Sequence, residues 1–159
     1  MRKLAISVTT FLMCSVLTAQ QPGVLENNKA VARGFFEQVL DKGQLDRYAD
    51  SHASNFVAHG DGHDYTLADD MAAAKEERTA LPDMRVNVNQ IVAERDLVSV
   101  FWTATGTNTH EGMGFLATGK RITVTGMTLF RLQDGKIVEE WSVFDMLSAM
   151  RQAGLLLAQ

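Results

Sequence analysis

Apolar and polar residues alternate with period two along residues 121–132 and again along residues 136–144, with Gln133, Asp134 and Gly135 between them. An Asp-Gly pair between alternating runs is a strong short-range hairpin signal, so the two segments are predicted to pair antiparallel. The same period governs Met84, Val86 and Val88, which alternate with Arg85 and Asn87, until the adjacent pair Ile91 and Val92 breaks the phase as a bulge would. After Glu94-Arg95-Asp96 it resumes with Val98, Val100, Trp102 and Ala104 on one face and Ser99, Phe101, Thr103 and Thr105 on the other. Bulk on both faces predicts a central strand, and residues 106–118 form a longer loop containing His110, Glu111 and Phe115.

Upstream the period lengthens. A helix is predicted from a cap at Asn27 or Asn28 to about Asp41, with Val31, Phe35 and Val39 on one stripe and Ala32, Phe36 and Leu40 beside it. Lys42-Gly43 stops it, and residues 44–51 form a shorter helix. Residues 56–59 suit a strand, and the following Gly-Asp-Gly is a loop. Thr66 and Asp69 have capping-box spacing for a third helix over residues 67–80, ended by Leu81-Pro82-Asp83, with Lys75, Glu76, Glu77 and Arg78 as a solvated face. A last short helix spans residues 146–152, and the tail to Leu157 is apolar. Helices followed by long strands predict an α+β domain whose curved antiparallel sheet is covered on one face by the N-terminal helices. A pocket remains wherever those helices leave the curve unfilled.

Composition adds a leader. Met1-Arg2-Lys3, a mostly apolar run over residues 4–17 and Thr18-Ala19 have the pattern of a secretory signal peptide cleaved after Ala19. The run is shorter than the ~20 residues a bilayer span needs, so no stable membrane anchor is expected. Residues 20–27 read as a tether and residues 28–157 as one domain, located in the periplasm or secreted. The only cysteine, Cys14, lies in the leader behind Met13, not behind the small residue of a lipoprotein site. The mature chain then has no thiol, which excludes a disulfide framework, a zinc–cysteine site and a thiol nucleophile. With 19 acidic against 15 basic residues and no basic cluster, nucleic acid is excluded as a partner.

If no bulge intervenes in the last strand, Ile137, Glu139, Trp141, Val143 and Asp145 share one face. A carboxylate at the strand end, beside Trp141 and ahead of an apolar helix, is expected to lose hydration and gain a pKa suited to proton transfer. Asp145 is therefore the first catalytic candidate; its other reading is the N-cap of the helix that follows. Residues 52–64 hold His52, His59, His63, Asp61 and Asp64, yet their spacing matches no metal motif, and neither a metal nor a cofactor is assigned. His52 and His63 read as solvated, whereas His59 ends a strand and could reach a cavity.

Residues 80–84 (Ala-Leu-Pro-Asp-Met), 106–120 and 135–154 are similar to the SnoaL-like polyketide cyclases, members of the nuclear-transport-factor-2-like superfamily of cone-shaped α+β folds. The most specific stretches are Thr118-Gly119-Lys120-Arg121, residues 134–141 (Asp-Gly-Lys-Ile-Val-Glu-Glu-Trp), Asp145, and Arg151-Gln152 with Gly154-Leu155; the similarity spans about residues 28–156. It implies a cofactor-free intramolecular aldol cyclisation, or related isomerisation, of a small hydrophobic carbonyl compound in a pocket. Asp145 would be the acid/base, with His59 and His110 as donors to the developing enolate oxygen. Trp141, Val143, Phe115 and Glu139 would line the pocket, together with Trp102, for which core packing is an equal alternative. A homodimer is also implied. The competing function is a non-catalytic binder that captures a small apolar ligand after export.

Overall fold

The structure, a computed structural model, describes residues 22–156. The expected signal peptide therefore lies outside the described residues. Helix α1 (Pro22–Gly34) begins within the segment expected to be a tether, with proline at its first position, where the missing N–H costs nothing. It runs on through a π-helical turn, Phe35–Leu40, closed by the Asp41 N–H on the Phe36 carbonyl at 2.8 Å. A 3-10 turn, Leu45–Arg47, leads into the single turn α2 (Tyr48–Ser51).

Strand β1 (His52–Gly60) turns through Asp61 and Gly62, both at positive φ, into β2 (His63–Thr66). The second of these strands was not expected. Helix α3 (Leu67–Ala80) starts with the reciprocal Thr66–Asp69 capping box that the spacing predicts. Four long strands follow: β3 (Arg85–Glu94), β4 (Leu97–Thr107), β5 (Arg121–Gln133) and β6 (Lys136–Phe144). Helix α4 (Met146–Ala153) ends on Gly154, whose φ of 75° supplies the left-handed cap.

All six strands form one sheet in the order β2-β1-β6-β5-β4-β3. The sheet is mixed, because β1 joins β6 in parallel while the other pairs are antiparallel. β4 is interior but lies next to the edge strand β3. Val98 and Val100 of β4, Phe130 and Leu132 of β5 and Ile137 of β6 face inward and are buried under Phe35, Phe36, Val39 and Tyr48. A second buried cluster joins Ala80, Leu81 and Met84 to Ile122 and to Ala153 of α4.

Three register shifts set which side chains look inward, one of them in β1 between His52 and Val57. In β3 the shift falls between Val88 and Gln90, two residues before the expected Ile91–Val92 position. In β6, Ile137 pairs with Leu132 and Glu139 with Arg131, so Val138 is an extra residue. That insertion reverses the phase of everything after it. The inner face is Ile137, then Glu140, Ser142 and Phe144; Glu139, Trp141 and Val143 stand on the outer face.

Candidate active site

Between the helices and the sheet lies a cavity of ≈ 420 Å³. Its walls are largely apolar, drawn from Phe35 and Phe36, Leu81, Met84, Trp102, Val124 and Phe144, with Met146, Ala149 and Met150 of α4 closing it. Gln152 fastens α4 to β5: its side-chain amide donates to the Thr123 carbonyl and accepts from the Thr123 N–H, both at 2.8 Å. Buried Asn108 shapes the loop between β4 and β5 by accepting from the Thr118 N–H at 2.8 Å and donating to the His110 carbonyl at 3.1 Å. The Met113 N–H donates to Glu76 Oε1 at 2.7 Å, which ties that loop to α3 and brings Met113 and Phe115 to the cavity wall.

The polar groups gather on one side. Glu140 projects inward from β6 and accepts from Ser142 Oγ at 2.7 Å. Ser142 shares a 2.7 Å bond with Thr128 Oγ1, which in turn receives the Trp102 indole N–H at 3.0 Å. From α3, Asp70 accepts the Tyr48 hydroxyl. Asp70, Ala74 and Glu77 are three or four residues apart, so one face of α3 carries two carboxyl groups into the cavity.

Asp70, Glu77 and Glu140 are half-buried, and all three line the cavity. Desolvation, with the charge of Asp70 adding to it, pushes Glu140 up to about 8. Burial also raises Asp70, against the lowering effect of the Tyr48 hydrogen bond, and raises Glu77 despite neighbouring Arg78. Tyr48 is raised further, by burial and by Asp70 and Glu140, so its hydroxyl stays protonated.

His52 sits behind this cluster. It is 3% exposed, stacked on Tyr48 at 4.8 Å and bounded edge-on by Phe35 and Phe56. Burial pushes it down to about 4, so the ring is neutral. Nδ1 lies 3.0 Å from the Tyr48 carbonyl, an acceptor, which assigns the proton to that nitrogen and leaves a lone pair on Nε2. Nε2 has no hydrogen-bond partner among the described residues. One donor atom each from His52, Asp70 and Glu140 lies within 4.8 Å of the others, and this trio is the group that could hold a divalent cation.

Several expectations are corrected by this arrangement. Asp145 does not enter the cavity: it is exposed and accepts the Ser148 N–H at 2.9 Å as the N-cap of α4. Glu139 and Trp141 are turned outward by the Val138 bulge, and Val143 is 70% exposed there. His59 is also on the outer face, stacked on Trp141 at 4.8 Å, bonded through Nδ1 to Asp64 at 2.7 Å and 3.6 Å from Glu139. Arg131 completes that outer group, paired with Glu139 and, at 2.7 Å, with Asp96, its guanidinium 5.8 Å from the Trp141 ring. His110 is exposed beside Thr109. Of the expected pocket residues, Trp102 and Phe115 line the cavity.

The residues that the sequence reading missed are Asp70, Glu77, Glu140, Tyr48 and His52. Far from being solvated, His52 fills the core, and the face of α3 read as solvated includes the inward-facing Glu77. Arg78 is likewise engaged, donating to the Leu40, Asp41 and Met84 carbonyls. The spacing of Asp70 and Glu77 was a readable signal; the side on which Glu140 stands was not, because one extra residue decides it.

The sequence model of the SnoaL-like polyketide cyclases matches residues 30–153. AclR of Streptomyces galilaeus, a candidate hydroxylase, is 26% identical with a TM-score of 0.76; the match covers 84% of this chain and 99% of that one. IdmH of Streptomyces antibioticus, a candidate polyketide cyclase, is 28% identical with a TM-score of 0.71, over 80% and 98% of the two chains. A candidate SnoaL-like cyclase from Jannaschia sp. CCS1 shares the fold at 20% identity, with a TM-score of 0.75 over 84% and 96%. No curated protein matches the chain.

Proposed function

This chain belongs to the SnoaL-like polyketide cyclase family, and from that premise we propose that Glu140 and Asp70 act as an acid/base pair on a small hydrophobic carbonyl compound held in the cavity. The observation that carries this reading is an enclosed glutamate, raised to about 8, beside a second carboxyl group at the polar end of an apolar chamber. Two close carboxyl groups hold one proton between them more readily than they hold two charges, so one is an acid while the other is a base. Protonated Glu140 donates to the substrate carbonyl oxygen, and ionised Asp70 removes a proton from the adjacent carbon. Tyr48 fixes the orientation of Asp70, and the Trp102–Thr128–Ser142 chain fixes that of Glu140. The resulting enol can close onto a second carbonyl, as a cyclase requires, or be reprotonated elsewhere, as an isomerase requires. Side chains suffice for either proton transfer.

Deuterium exchange at the carbon next to the carbonyl of 1-tetralone and 2-tetralone, followed by NMR, tests the chemistry. Wild type is expected to exceed the buffer rate, and Glu140→Gln to lose at least about a hundredfold, the scale of general acid/base catalysis. Exchange at the buffer rate with both ketones bound would assign the cavity to capture, not turnover.

The proposal extends to location and assembly. The leader pattern supports export, with a mature chain that begins at Gln20; the mass of the protein recovered outside the cytoplasm checks this. The apolar outer face of the sheet supports pairing with a second copy.

A further inference from the structure

The polar end of the cavity has an unbalanced inventory. Three carboxyl groups, Asp70, Glu77 and Glu140, line this part of the cavity, Asp70 at the Tyr48 hydroxyl and close to Glu140, and a fourth, Glu76, is also on the wall. No lysine, arginine or histidine is among the lining residues. Arg78, the nearest cation in sequence, turns its guanidinium to three backbone carbonyls instead.

Apart from the proton that Glu140 carries below about pH 8, the side-chain donors on the wall are committed. The Tyr48 hydroxyl is given to Asp70, the Trp102 N–H to Thr128 and the Ser142 hydroxyl to Glu140. The Asn108 amide is given to the His110 carbonyl. What is left over besides that one proton is acceptor capacity: the Glu77 carboxyl, which has no ion-pair or hydrogen-bond partner among the described residues, the spare oxygen of Asp70, and the lone pair on buried His52 Nε2. The same cavity wall carries four aromatic side chains, Phe35, Phe36, Trp102 and Phe144. Aromatic faces attract cations electrostatically, and more strongly when water is excluded.

A buried site with surplus acceptors, no committed cation and aromatic walls is complementary to a ligand that brings positive charge and N–H donors. We infer that the cavity's ligand is an apolar compound carrying a protonated amine, with the ammonium placed between Glu77 and the Asp70–Tyr48 pair and the hydrocarbon body against the aromatic wall. This deepens the reading of the cavity as the ligand site, because it names the ligand's charge. It does not require proton transfer by Glu140. Capture and turnover are both compatible with it, and the deuterium-exchange measurement separates those two without bearing on the charge preference.

Calorimetric titration with three probes of matched shape tests the inference: 1-naphthylmethylamine as the cation, 1-naphthylmethanol as its neutral counterpart and 1-naphthoate as the anion. The wild-type protein is expected to bind the amine at least about tenfold more tightly than the alcohol, and the naphthoate more weakly than either. Glu77→Gln is expected to remove most of the amine's advantage while leaving the alcohol's affinity unchanged, which also shows that the variant's cavity is intact. Should Glu77→Gln fail to fold, Glu77→Asp serves, with the amine's advantage reduced but present. Equal or weaker binding of the amine than of the alcohol by the wild type, or an undiminished amine advantage in folded Glu77→Gln, overturns the inference.

Discussion

Glu140 and Asp145 show how little separates a carboxylate that lines the cavity from one that caps a helix. Both follow the same Asp-Gly hairpin, five residues apart, yet one is enclosed and the other caps a helix in water. Their substitutions should therefore separate cleanly. Glu140 keeps its proton in the fold up to about pH 8 but only to about 4.5 in the unfolded chain. The folded state thus binds more protons between those values, and stability falls as pH rises through that window. His52 acts oppositely: folding lowers it from 6.5 to about 4, so stability falls as pH drops through that range. The loss between about pH 6.5 and 8 accordingly belongs to Glu140; Asp70 and Glu77, also raised by burial, lose stability in the same sense as pH rises above their ordinary values. Urea denaturation across this range should show a declining stability in wild type and a clearly flatter profile in Glu140→Gln. Asp145→Ala should leave deuterium exchange unchanged and cost about 1 kcal/mol through the lost cap.

At the scale of elements, the hairpin and the long strands were legible because period two and an Asp-Gly turn are local signals. The α3 cap was legible for the same reason, since Thr66 and Asp69 bond each other. Asp61-Gly62 carries the very signal that identified Asp134-Gly135, yet β2 after it is short and exposed throughout, with no alternation to reveal a strand. The parallel pairing of β1 with β6 was not legible, because nothing local encodes a partner some eighty residues away. The bulge at Val138 was decisive and equally silent, and it exchanged the expected face of Glu139 and Trp141 for that of Glu140 and Ser142. The neighbouring strand supplies a further prediction. Gly126 sits opposite Trp102, whose indole occupies the space a Cβ would take. Gly126→Ala should displace the indole, break its bond to Thr128 and cost about 1–3 kcal/mol. Urea denaturation and the wavelength of tryptophan emission report the two effects together.

For the molecule as a whole, the same phase reversal that furnishes the cavity also furnishes the back of the sheet. Phe101, Met127 and Val143 are direct cross-strand neighbours on β4, β5 and β6, and all three are exposed, at 38%, 48% and 70%. Val92 on β3 adds to the same exposed apolar set. A contiguous apolar row of this kind on a sheet with its other face already buried supports the proposed pairing with a second copy. The Trp141–His59–Arg131–Glu139 group, which precedes Val143 along the same face of the sheet, supplies a polar margin whose charges are largely matched within the chain. Placing a carboxylate in the apolar row would force it into the interface of both copies at once, without a cation to meet it. Val143→Asp should therefore sediment as a monomer where wild type sediments as a dimer. Because the substituted side chain points away from the cavity, the monomer should still bind 1-tetralone. A wild-type protein that stays monomeric as its concentration is raised would remove the second copy and leave the apolar row without an occupant.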